Sequence, residues 1–215
     1  MLSSMLLAHL IAACAPNVGK RTMTSIVAVE SGGSPFAIHD NTSVRSYFPT
    51  NAGDATSLAT ELIAAGHSVD LGLAQINDAN LPNLGLSVRA AFDPCTNVRA
   101  GATILAEAYG RARTHFGDGQ FALRRAIGAY NTGSLSAGDG YIASVVTASQ
   151  SESVSRTIVD LPGPAAPAPA RNPLVRAQAK LAPRPERTAR PAAPSPDDAP
   201  VIVPITVVSN GMSNP

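Results

Sequence analysis

Apolar residues return at helical spacing near the start of the chain. Leu2, Met5, Leu6, His9, Leu10 and Ala13 fall on one helical face, and Pro16 stops that helix. A second stripe, Met23, Ile26 and Val27, runs on to Glu30, with Thr22 or a neighbour as cap and Gly32-Gly33 as terminator. Residues 33–56 lose the periodicity. They are rich in Gly, Ser, Asn and Asp, carry Pro35 and Pro49, and read as irregular or short extended pieces. Residues 57–66 predict a short helix with a Gly stop. Residues 68–77 alternate through Val69, Leu71, Leu73 and Gln75, the pattern of a short strand or a buried loop crossing. Asp93-Pro94 starts a long helix whose stripe is Cys95, Val98, Ala102, Leu105 and Tyr109, ending near Gly117. Leu123, Ile127 and Tyr130 mark another, broken at Asn131-Thr132-Gly133. Tyr141, Val145 and Ala148 mark a last one over 139–149.

The pattern makes residues 1–154 a small α+β domain, mainly α, with one or two short strands. Residues 155–215 are different in kind. They hold 13 of the 18 prolines, and from Leu161 the chain reads Pro-Gly-Pro-Ala-Ala-Pro-Ala-Pro-Ala, a polyproline-type, largely disordered tail that builds no core. Within it, residues 171–190 carry six basic and one acidic side chain. Val201-Ile202-Val203-Pro204-Ile205-Thr206-Val207-Val208 is β-prone, a candidate strand-addition site for a partner or simply a sticky end.

Charge narrows the function classes. The formal net charge is +1, aromatics are 4%, and the basic excess sits in the tail, so nucleic acid is not an expected partner. The four His are scattered and no Cys/His ligand spacing occurs, so neither a metal nor another cofactor is expected. Cys14 and Cys95 are far apart in sequence and compatible with one disulfide or with two core thiols. No stretch is long enough to span a bilayer. Residues 2–13 form an apolar run, and Ile11-Ala12-Ala13-Cys14 is similar to a lipoprotein cleavage box. No Lys or Arg precedes the run, however, and it reads as a first helix with no evident export signal.

The chemistry starts at Glu30. A carboxylate where the stripe calls for a core residue is costly unless protonated or paired. Burial raises a carboxyl pKa, which suits a general acid working near neutral pH; the plain alternative is a Glu that caps or pairs near a helix end.

Three motifs join it in order: Glu30-Ser31-Gly32-Gly33-Ser34-Pro35-Phe36-Ala37, Gly72-Leu73-Ala74-Gln75-Ile76-Asn77 and Ala129-Tyr130-Asn131-Thr132-Gly133. With Cys14-Ala15-Pro16, Phe92-Asp93-Pro94-Cys95-Thr96-Asn97, Gly101-Ala102-Thr103-Ile104-Leu105 and Gly140-Tyr141, the chain resembles lytic transglycosylases with a goose-lysozyme-like (SLT-type) catalytic domain. Within that group it is most similar to the transglycosylase component of bacterial type IV secretion systems. The resemblance covers residues 8–149 and implies a lysozyme-like helical fold with a small strand region.

It also implies roles. Glu30 is the single catalytic acid. Ser31, Gln75, Tyr130, Asn131 and Tyr141 are substrate-binding, with the Tyr130 hydroxyl near the catalytic carboxyl. Ala74 stands where the wider family has Met, which removes an apolar wall of the cleft. The long stretch from 38 to 71 is an insertion shared by secretion-associated members. The substrate implied is peptidoglycan, cleaved at the MurNAc-GlcNAc bond with closure of a 1,6-anhydro ring. Its compartment is the periplasm, which makes Cys14–Cys95 one disulfide. Other secretion components are implied partners, reached through the tail. Two rivals stand beside this reading. One is a hydrolytic muramidase with a second carboxylate, for which Asp40, Asp54, Asp70 and Asp78 are candidates and Asp70 the best placed. The other is a non-catalytic glycan-binding or assembly factor.

Overall fold

The computed structural model of this protein describes residues 1–151 and Val154; the Pro-rich expectation for 155–215, with its β-prone patch, lies outside the described residues. The elements run α1 (Ser4–Cys14), α2 (Lys20–Ser31), β1 (Ile38–Asp40), β2 (Arg45–Tyr47), α3 (Ala52–Ala64), β3 (Val69–Leu71), β4 (Ile76–Asn77), α4 (Leu81–Leu84), α5 (Pro94–Phe116), α6 (Gln120–Thr132) and α7 (Asp139–Ser149). This is the mainly helical α+β architecture expected.

α5 is the spine. Asp93 caps it, its Oδ1 accepting from the Thr96 backbone N–H at 2.8 Å, and Pro94 fills the first helical position, where no N–H is needed. Two hydrophobic cores share this helix. Its first turns, through Val98, Ala100 and Ala102, pack with α1, α2, α3 and the sheet. Its later turns, through Leu105, Ala108 and Ala112, pack with Ala122, Ala126, Ile127 and Ala129 of α6 and Ile142 and Val145 of α7. The alanines keep both helix surfaces shallow, so α5 and α6 lie close together.

The strands form one antiparallel sheet in the order β2-β1-β3-β4. His39 pairs with Ser46 on one side and Asp70 on the other, and Asp70 pairs with Asn77. Neighbours in register share a face, so these four polar residues form a row across the sheet. Ile38, Val69, Leu71 and Ile76 face the first core instead. The segment 68–77 is therefore both of the alternatives it suggested: two strands joined by the buried turn 72–75.

Three local expectations are corrected. The first helix turns a different face inward: Leu7, Ala8, Ile11 and Cys14 are buried, while Met5 and Leu6 are 59% and 54% exposed. Both faces of that run are apolar, so periodicity alone could not choose. The deciding contact is covalent, since Cys14 is bonded to Cys95 with Cα atoms 5.4 Å apart. α2 begins before Thr22, on Gly19, with no side-chain cap. α3 begins at Ala52 rather than 57, because Asn51 caps it by accepting from the Asp54 N–H at 3.0 Å.

Candidate active site

Glu30 occupies the last turn of α2. Met23, Ile26 and Val27 beneath it have no exposed surface. Gly32 takes φ +60° and ends the helix, leaving the carboxyl at the edge of a cavity of 280 Å³. That cavity is bordered by Ala37, Ile38, His39, Asn41, Ser46, Phe48, Asp70, Gln75 and Asn131 as well as Glu30. Burial pushes the Glu30 pKa up to about 7. The Asp70 charge across the cavity pushes the same way. A hydrogen bond donated by the Tyr141 hydroxyl to Oε1 of Glu30 pulls in the opposite direction.

The turn 72–75 brings Gln75 to the cavity, and three helices hold its backbone. Ser31 of α2 donates to the Leu73 carbonyl at 2.8 Å and accepts from the Gly33 N–H at 3.2 Å. Asn97 of α5 accepts from the Ala74 N–H at 2.7 Å and donates to the Leu71 and Ala91 carbonyls at 2.8 and 2.7 Å. Tyr130 of α6 donates to the Ala74 carbonyl at 2.7 Å. Gly72 is required by this closeness: it has φ +75°, and a Cβ there would meet the Asn97 amide nitrogen at 2.5 Å. Gln75 leaves the turn at φ +46°, an uncommon conformation for a side-chain-bearing residue and one that aims it at the cavity. Its amide donates to the Gly72 and Ala37 carbonyls at 2.8 and 3.2 Å.

The expected site residues therefore divide. Glu30, Gln75 and Asn131 border one cavity, and Tyr141 reaches Glu30 by its hydroxyl. Ser31 lies below, its hydroxyl committed to backbone groups. The Tyr130 hydroxyl lies within electrostatic reach of Glu30, but it bonds the Ala74 carbonyl, and the hydroxyl that bonds Glu30 belongs to Tyr141. The two rings lie nearly parallel, 11° apart in plane with centroids at 6.4 Å, so Tyr130 backs Tyr141. Burial raises the pKa of both hydroxyls, and the Glu30 charge adds to it; both are therefore donors in this site. Ala74, where the wider family has Met, does not border the cavity. It has no exposed surface and packs where α5 comes closest: a Cβ at Gly101 would meet the Ala74 Cβ at 2.7 Å and the Tyr130 hydroxyl at 2.9 Å. The Ala74 side chain is therefore core and supplies no wall to the cavity.

Of the four carboxylates weighed as a second group, only Asp70 borders the cavity. Its oxygens accept from the Asn41 and Asn77 amides, each at 2.8 Å. Asp40 is fully buried on the opposite face. Burial alone would raise its pKa, but bonds from Ser43, His67 and Thr42 outweigh this and hold it well below the usual carboxylate range. Asp54 sits at the start of α3, and Asp78 accepts from the Val69 N–H.

Sequence reasoning passed over the scaffold of the site. Asn97 carried a signal, a polar residue among buried neighbours in α5. Arg125 carried less. Its guanidinium donates to the Leu135 and Ala137 carbonyls at 2.5 and 3.1 Å and to Asp139 at 2.8 Å, fixing the approach to α7 and so the place of Tyr141. Among the described residues no group of His, Cys, Asp or Glu could hold a metal ion, and no helix is long and apolar enough to cross a membrane.

The family model "Transglycosylase SLT domain" matches residues 9–143. The chain belongs to that family. Glu30, Gln75, Tyr130, Asn131 and Tyr141 all lie inside the matched SLT domain. Protein virB1 of Agrobacterium fabrum is 42% identical over 139 residues, 64% of this chain and 56% of the relative. Protein virB1 of Rhizobium radiobacter is 41% identical over 152 residues, 70% of this chain and 63% of the relative. Type IV secretion system protein virB1 of Brucella abortus biovar 1 is 40% identical over 126 residues, 58% of this chain and 53% of the relative. The chain thus spans between about half and two thirds of the length of these relatives. No solved structure matches it.

Proposed function

We propose that this protein is a peptidoglycan lytic transglycosylase of a type IV secretion system, opening the wall locally in the periplasm for assembly. The observation that carries the reading is Glu30: a carboxyl that holds its proton to about pH 7, set on a cavity inside an SLT domain. The secretion context is supported by the likeness to the Brucella abortus relative, a type IV secretion system protein.

The chemistry needs one group to act twice. Glu30 gives its proton to the leaving glycosidic oxygen as the bond to the anomeric carbon breaks. The N-acetyl group of the sugar and the Asp70 carboxylate stabilise the positive charge that develops. The sugar's own 6-hydroxyl then bonds to the anomeric carbon and gives its proton to Glu30, which restores the acid. No water enters, so no separate base is required. The Tyr141 hydroxyl suits this cycle, since a hydrogen bond donated to the carboxylate stabilises it between the two proton transfers. Gln75 and Asn131 border the same space, which supports a role for both in holding the sugar. Peptidoglycan is the substrate, and the tail is where secretion partners would bind.

Asp70 gives a second reading specific support. A cavity with one acid that retains its proton and a second carboxylate opposite is also the arrangement of a hydrolytic muramidase. The products separate the two. Purified sacculi digested by the full chain should release fragments with anhydro ends, lighter by one water than the hydrolytic products. Reducing ends alone would establish hydrolysis and overturn the transglycosylase reading.

A further inference from the structure

The cavity has a wall that none of the three motifs supplies. β1, β2 and the residue that follows β2 bring His39, Ser46 and Phe48 to it. Phe48 is the unusual member, bordering the same cavity as Glu30 while 64% exposed. A single exposed apolar side chain is ordinary on a protein surface. What sets this one apart is how firmly it is presented.

Successive residues of a strand point to opposite sides. Tyr47 is the half-buried member and packs against the first core, so Ser46 and Phe48 on either side of it face the cavity. Tyr47 pairs with Ile38 and Ser46 with His39. The His39 ring nitrogen Nδ1 and the Ser46 hydroxyl are 3.0 Å apart and hydrogen-bonded, and the Arg45 guanidinium lies 5.6 Å from the Tyr47 ring centre. Pro49 follows at once and restricts the backbone of Phe48. A ring held by an anchored strand at the mouth of a cavity loses little conformational freedom when a ligand covers it.

We propose that Phe48 is an aromatic platform that stacks on a sugar ring of the bound glycan, away from the bond that Glu30 acts on. The chemical fit is direct. One face of a β-linked N-acetylhexosamine is lined with C–H groups, and the negative π-face of a phenyl ring attracts them while both shed water. His39 and Ser46 beside it offer hydrogen-bonding groups to the hydroxyl and acetamido edge of that sugar. The role of 38–49 is then to lengthen the glycan site, and it rests on the glycan reading of the cavity given above.

The test uses the full chain carrying Glu30→Gln, so that ligand is not consumed. It is titrated with the hexamer of β-1,4-linked N-acetylglucosamine. Adding Phe48→Ala should weaken binding about tenfold, and Phe48→Trp should retain it. Melting temperatures should be the same for all three, because the ring is exposed and supports no core. Equal affinity for the Phe48→Ala and parent proteins overturns the platform alone. If the folded parent binds no hexamer, the glycan reading of the cavity falls and the platform with it.

Discussion

At Glu30 two opposing influences on one proton are separable. The Asp70 charge raises its affinity for the proton and the Tyr141 hydroxyl lowers it. An acid catalyst loses activity as pH rises through its pKa. Tyr141→Phe should therefore move the alkaline limb of the pH–rate profile to higher pH, and Asp70→Asn should move it to lower pH. Each should slow the reaction by about tenfold or more. Opposite displacements are the signature; a purely structural effect of either change would leave the limb in place. The same proton has a cost in stability. The fold keeps Glu30 neutral up to about pH 7, whereas an open chain releases that proton near its ordinary value of 4.5. Stability is therefore lost as pH rises across that window. Glu30→Gln removes the penalty, so urea unfolding should show its advantage over the wild type growing by about 3 kcal/mol between about pH 4 and about pH 8.

At the scale of elements, the sequence was legible where one residue type serves one local purpose. Asp93-Pro94 starts α5, Gly32 ends α2, and the stripe through Met23, Ile26 and Val27 delivers Glu30 to the cavity edge. It was not legible where two choices differ only in distant packing. Tyr130 and Tyr141 are both aromatic residues near helix ends, and what assigns one hydroxyl to Ala74 and the other to Glu30 is the route of residues 133–138 around Arg125. The inward face of α1 was hidden for the same reason. The Cys14–Cys95 bond that settles it ties the end of α1 to the start of α5 across 81 positions. Closing so long a loop restricts the open chain and is worth about 4 kcal/mol on an entropy model. Reduction should lower the melting temperature by roughly 10 °C, read by calorimetry with and without reductant. An unchanged melting point would mean the helix contacts alone hold that corner.

Across the described residues taken together, two cores are built on one helix and the cavity opens where their elements meet. The sheet face carrying Ser46, His39, Asp70 and Asn77 forms one side, and the ends of α2 and α6 bring Glu30 and Asn131 to the other. Hydrophobic periodicity located the helices, but the polar row across the sheet was invisible to it. Strands of two and three residues leave little pattern to read, and their register is set by the cores beneath. The proposed reaction depends on Glu30 serving as the only proton carrier. Its most direct test is digestion of purified peptidoglycan by wild-type and Glu30→Gln proteins side by side, both shown to be folded. The wild type should release soluble anhydro fragments and the variant should be slower by a factor on the order of 10³ or more; release by the variant at a comparable rate would contradict the assignment.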